Sequence, residues 1–317
     1  MAKKLKYILL GALTIIILSA ALMFFAITTS TTVTAMLNVE NGTVKVNQGK
    51  GWITAKDEMK LKLGDKVKTE QDGQASIILY ESTIISLEPK TEVSIEDLNK
   101  KHLKVKQTTG KTWNKFTGLL GVEGLSIETP NTVATVRGTS FEVGMNEIIV
   151  GEGEVEVTSN GEKITLKEDE KAEIEEYKEK GKRRIRLIKK RLTKQDREKI
   201  IKQMKRNIKV LRKIRKREIN KKRFLVQRLK KKYKISDEDI EKGLREADEG
   251  KLNLDEIERK IPIRIEGIKR IKGLTEKIIK QQKAIQRMMQ RRETERQTLQ
   301  EKPKRAVINK PKQTTTR

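Results

Sequence analysis

Residues 7–27 pass 21 positions without a charged side chain, and that run constrains the chain more than any other feature. Wound as a helix it would be about 31 Å long, close to the roughly 30 Å hydrocarbon layer of a bilayer. It is read as a transmembrane helix that stays as an anchor. The rival reading is a cleaved signal peptide, since Lys3, Lys4 and Lys6 precede the run and Val33, Thr34 and Ala35 would suit a cleavage site. The run is longer than the apolar core of about 7 to 15 residues that signal peptides carry. The first charge after it is Glu40, so the positive-inside bias keeps residues 1–6 as a cytoplasmic stub and puts the bulk outside. The predicted location is the plasma membrane, single-pass, with the bulk extracytoplasmic, or secreted if the segment is cleaved.

Charge divides the remainder. Residues 178–317 hold 51 Lys+Arg against 19 Asp+Glu, a net of +32 against +28 for the whole chain, so residues 1–177 carry −4. With 35% of residues hydrophobic and 37% charged, the chain is lean for one large core, which predicts one compact domain plus extended parts. There is no cysteine, which excludes disulfides and thiolate metal sites. The single histidine, His102, argues against histidine catalysis or ligation.

After a short polar linker at residues 28–36, residues 37–177 break into short β-prone pieces: 38–46, 75–79, 83–87, 91–95, 102–107, 125–128, 140–143, 148–150, 154–158 and 163–166. Gly, Pro, Asn or Asp separates most of them. Residues 154–157 alternate Glu and Val at period two, as a half-buried strand does. The expected fold is an all-β sandwich, jelly roll or short β-solenoid with one core, to which Trp52, Ile53, Trp113, Phe116, Phe141 and Ile149 contribute among others.

Beyond residue 177 a basic helical region is expected over 178–302. Thr193 and Asp196 have the spacing of a helix-capping pair, and Ile201, Met204, Ile208 and Leu211 continue as a narrow stripe, so residues 194–232 read as one long helix. Ser236 and Asp239 open a shorter helix ending near Gly250, and Pro262 precedes a third over about 264–300. These helices could pack as a small antiparallel bundle or a coiled-coil hairpin, with an oligomer possible through them, and residues 303–317 read as a disordered tail. The predicted class is β plus α.

The motifs resemble the FecR family. Residues 63–95 contain Gly64-Asp65, Val67 and Thr69, then Leu87, Pro89 and Thr91, similar to that family's first half. Residues 127–143 are similar to its best-known stretch: Thr129-Pro130, then Ala134, Val136-Arg137-Gly138-Thr139, Phe141 and Val143. Gly153 and Val155 resemble its later Glu-Gly-x-Val-x-Val strand. The resemblance spans about residues 39–175. It implies an extracytoplasmic sensing role, as in inner-membrane regulators that sense a loaded transporter and control a sigma factor. Two departures are expected: a cytoplasmic anti-sigma segment before the span is not visible, and basic helices stand where a transporter-contacting module would be.

No catalytic residue, metal site or cofactor is predicted. Ser140 follows Gly138-Thr139, but the Gly-x-Ser-x-Gly elbow and a partner histidine are missing, and no Walker or dinucleotide motif occurs. The motif residues read as structural, with Arg137 packing or pairing rather than holding an anion. The tail offers polyanion contacts in Arg183 and Arg184, Arg215-Lys216-Arg217, Lys221-Lys222-Arg223, and Lys230-Lys231-Lys232. The predicted topology and the scarcity of aromatics, only Phe224 and Tyr233 in the tail, argue against nucleic acid. Anionic lipid, wall polymers or an envelope protein are the expected partners.

Overall fold

The computed structural model describes residues 34–81, 83–118, 121–221, 223–256 and 266–301. The expected cytoplasmic stub, transmembrane helix, most of the linker and the tail lie outside them. Among the described residues no helix is long and apolar enough to cross a membrane.

The strands, in chain order, are β1 (Ala35–Asn41), β2 (Val44–Asn47), β3 (Trp52–Thr54), β4 (Lys66–Thr69), β5 (Gln74–Leu79), β6 (Thr83–Leu87), β7 (Glu92–Asn99), β8 (His102–Thr109) and β9 (Lys111–Phe116). There follow β10 (Leu125–Glu128), β11 (Val133–Val136), β12 (Ser140–Gly144), β13 (Glu147–Glu152), β14 (Glu154–Ser159), β15 (Glu162–Lys167), β16 (Glu170–Glu179) and β17 (Lys182–Arg191). Sheet A has the order β1-β5-β6-β9-β12-β13-β16-β17, and sheet B the order β15-β14-β11-β10-β8-β7-β4-β2-β3. All pairs are antiparallel except β8 and β10.

The sheets enclose a sandwich core that includes Leu37, Val67, Ile77, Ile85, Ile95, Val105, Ile127, Phe141 and Val157. On β14 the reason is plain: Val155 and Val157 are buried while Glu154 is exposed, so the outer face of sheet B is wet. Sheet A differs. In β5 and β6 nearly every residue is buried, because Ile77 and Ile85 face the sandwich while Ile78 and Ile84 face a second apolar layer with Trp113 and Ile149. A strand covered on both faces needs no polar alternation.

The cover is helical. Helix α1 (Lys194–Lys221) is capped by the expected pair, with Thr193 Oγ1 donating to Asp196 Oδ2 at 2.8 Å and the Asp196 amide donating back to Thr193 Oγ1 at 3.2 Å. Helix α2 (Arg223–Tyr233) follows, then α3 (Asp237–Asp248), whose Ser236–Asp239 capping box forms as expected, and α4 (Glu266–Glu301). Ile200, Met204, Leu211 and Ile214 of α1 join Leu274, Ile278, Ile285 and Met288 of α4 in the second layer. Gly151 permits this: a Cβ there would lie 2.8 Å from Ile200 and 2.9 Å from Trp113.

Four expectations change. The core is double, since helices cover sheet A. Trp52 and Ile53 are 40% and 52% exposed, because β3 is the edge of sheet B and has no neighbour beyond it. Residues 182–191, assigned to the helical region, are strand: β16 and β17 form a hairpin whose diagonally placed charges pair, as in Lys189–Glu170 at 2.7 Å and Lys190–Glu173 at 2.5 Å. The basic helices are not extended parts beside the compact domain but the third layer of the fold.

Candidate functional site

Most of the motif residues turn out to be joints. Gly64 donates its amide to Ile95 O at 2.8 Å, and the buried carboxylate of Asp65 accepts from the Lys62 amide (2.9 Å) and Gln48 Nε2 (2.7 Å). Thr69 Oγ1 donates to Glu88 O at 2.6 Å and accepts the Thr91 amide at 3.0 Å, locking β4 to the turn before β7. Thr129 Oγ1 accepts the amides of Thr132 (2.9 Å) and Asn131 (3.3 Å), closing the turn that exposes Pro130. Phe141 is fully buried in the sandwich core. Gly138 has φ +81° in open space, whereas Gly153, at φ +83°, lies against Thr139: a Cβ there would come 2.8 Å from Thr139 Cγ2. Arg137, expected to pack or pair, is instead exposed and makes no ion pair among the described residues, because it stands at the open turn before Gly138.

No catalytic constellation is assembled from these residues. Ser126 Oγ lies 3.0 Å from His102 Nε2, but Ser126 also bonds Thr135 Oγ1 at 2.9 Å, and no carboxylate pairs with the ring among the described residues. No group of three or more His, Asp or Glu is placed to hold a metal there either.

The charged chemistry sits between sheet A and the helices. Lys115 of β9 and Glu152 of β13 are both almost completely buried and 2.6 Å apart, and Lys280 of α4 reaches Glu152 at 2.9 Å. Burial works against charge on Glu152, but Lys115 and Lys280 outweigh it and hold the carboxyl at about 2. Burial pushes the Lys115 ammonium below its ordinary value, against the pull of Glu152. At the β5–β6 turn, Glu81 takes an unusual left-handed φ of +52° and meets Lys221 at 2.5 Å and Arg270 at 2.9 Å. Glu218 binds the same two cations at 2.7 and 3.0 Å. Burial raises the Glu81 carboxyl, and the neighbouring Glu218 adds to that rise.

The predicted polyanion contacts divide accordingly. Arg215 is buried and bonds Asp248 at 2.5 Å, so it is withdrawn as a contact for an external anion: it ties α1 to α3. Arg217 pairs with Glu58 at 3.4 Å and Lys221 with Glu81 and Glu218. Arg183 and Arg184 are exposed on β17, with Arg184 3.5 Å from Glu179. Lys216, Arg223, Lys231 and Lys232 are exposed, Lys230 is half-buried beside Asp237 at 2.7 Å, and Lys222 lies outside the described residues. Sequence reasoning missed Lys115, Glu152, Glu81 and Glu218. The signal available was a charged residue inside a β-prone or apolar stretch, but nothing local marks its partner.

Residues 65–158 match the family model described as FecR protein. Two crystal structures of a "putative anti-sigma factor from Parabacteroides distasonis ATCC 8503" are similar at 15% and 16% identity, each with a TM-score of 0.35. Each match covers 41% of this chain and 61% of the other, so this chain spans less than two thirds of those solved chains. No curated protein matches it. The stretch from β4 to β14, with its motif residues spent on turns and strand joints, is a FecR-family domain within a longer chain.

Proposed function

We propose that the chain is a non-enzymatic sensing or interaction module, held in a membrane by residues 7–27 with its sandwich and helices on the extracytoplasmic side. The observation that carries this reading is the use of the FecR motif. Thr69, Asp65 and Thr129 satisfy backbone groups and Phe141 fills the core, so these motif residues serve architecture and the domain's work falls to surfaces. Signalling then requires a partner that meets those surfaces. The polyanion reading survives in narrower form, for the exposed cations of α2 and β17.

The test is protease treatment of intact cells carrying an epitope after Arg317. Digestion without lysis is expected. Digestion only after lysis would place the helices in the cytoplasm and overturn the proposed topology, making nucleic acid the partner to examine.

A further inference from the structure

One end of the sandwich gathers where the chain arrives, its exposed aromatics and its unpaired lysines. The Tyr80 amide donates to Thr34 O at 2.8 Å, which sets the start of β1 beside the β5–β6 turn. The Leu61 amide donates to Ala35 O at 3.0 Å, bringing the turn that bears Leu63 to the same place. Gln48 Nε2 reaches Lys60 O at 3.2 Å, adding the β2–β3 loop with Lys50 and Trp52. Tyr80 donates to Leu98 O at 2.6 Å, and Lys100 sits 5.3 Å over the Tyr80 ring, adding the β7–β8 turn. Finally α1 ends here with Lys221 on Glu81, and α2 begins two residues later.

This end exposes large apolar groups: Trp52 at 40%, Leu63 at 62% and, on α2, Phe224 at 84%. Around them Lys50, Lys60, Lys62 and Lys101 are exposed without ion pairs among the described residues. The acids beside them are already engaged. Asp57 holds Lys213 at 2.7 Å, Glu58 holds Arg217, Asp65 is buried on Gln48, and Glu81 is shared by Lys221 and Arg270. Glu123, exposed, and Asp97, whose carboxylate accepts the Asn99 amide, are exceptions.

Tether length adds an independent constraint. Only residues 28–34 separate the apolar run of residues 7–27 from β1, and seven residues span at most about 25 Å. A domain so tethered must turn this end toward the bilayer. We propose that this end is a docking face for anionic lipid headgroups, with the lysines on the phosphates and Trp52, Leu63 and Phe224 at the interface. Exposed aromatics ringed by lysine are the composition that an interfacial contact requires. The proposal rests on the reading of residues 7–27 as an anchor.

The full chain would be reconstituted into vesicles of phosphatidylcholine alone or equimolar with phosphatidylglycerol, each with a trace of headgroup-spin-labelled lipid. Trp113 is buried under α1, so quenching reads Trp52. Quenching is expected in the anionic vesicles, reduced by high salt and lost in a Lys50→Glu, Lys62→Glu, Lys101→Glu variant whose Trp113 emission is unchanged. Unquenched Trp52 in anionic vesicles, or equal quenching in both lipids, would overturn the proposal. Alkaline carbonate extraction tests the anchor separately. Chain that resists extraction while Trp52 stays unquenched refutes the docking face alone. Chain that is extracted yet shows salt-sensitive quenching with added anionic vesicles keeps the docking face and refutes the anchor.

Discussion

At the residue scale the most consequential feature is a buried charge pair that no motif announces. Lys115 and Glu152 face outward from sheet A yet are sealed by α4. Removing Lys115 leaves the buried Glu152 with only the exposed Lys280 beside it, a loss of up to about 3 kcal/mol, whereas replacing both members of such a pair with apolar residues of similar volume is often neutral. Lys115→Met is therefore expected to lower the urea midpoint sharply and Lys115→Met with Glu152→Leu to restore most of it. Because the folded Glu152 carboxyl is depressed from 4.5 to about 2, its contribution is present above pH 4.5 and lost as pH falls toward 2. Urea titrations across that window should show the wild-type slope and its absence in the double variant. A second contrast separates two glycines of the family motif. Gly138→Ala meets open space and bears only the left-handed backbone cost of about 1 kcal/mol. Gly153→Ala also drives a Cβ into Thr139, so a distinctly larger fall in melting temperature is expected there.

At the element scale, the helices and sheet A depend on each other. Ile78, Ile84, Trp113 and Ile149 are covered only from the side of α1 and α4, since their strand neighbours face the sandwich. A chain ending after Arg191 should bind 8-anilinonaphthalene-1-sulfonate and show red-shifted Trp113 emission; an unchanged spectrum would mean the helices contribute little cover. Helix α3 is held differently, by Arg212 and Arg215 on the buried Asp248 at 2.8 and 2.5 Å. Asp248→Asn leaves two guanidinium groups short of a counter-charge. Hydrogen exchange is expected to accelerate across residues 237–248 while sheet B stays protected.

At the scale of the whole molecule, the family match and the folding unit differ. Residues 65–158 omit β1 and β2, which pair with β5 and β4, and β15 and β16, which pair with β14 and β13. That piece alone would leave β5, β4, β13 and β14 with open edges and a half-covered core. It is expected to show no cooperative urea transition, in contrast to the full chain. The same view explains the charge: cations of the helices answer acids on sheet A and its rim, as in Arg206 with Glu40 at 2.7 Å and Glu88 at 2.5 Å, so part of the +32 is balanced within the fold.

Local pattern was enough to reveal the helix caps at Thr193 and Ser236, the alternating strand at residues 154–157 and the FecR motif order, because each rests on residues close in sequence. Even the helical cover left a trace, in the adjacent apolar residues Ile77-Ile78-Leu79 of β5 and Ile84-Ile85 of β6, though such a run also suits a strand at the centre of any sandwich. Residues 182–191 were misread because Lys and Arg suit a helix as well as a hairpin, and the choice depends on the glutamates across the strand pair. What only the tertiary structure decided is which charges are spent and which remain free. Arg215 and Lys216 are adjacent and alike in sequence, yet one is buried on Asp248 and the other faces solvent, since a helix turns by about 100° per residue and its neighbours lie far off in the chain.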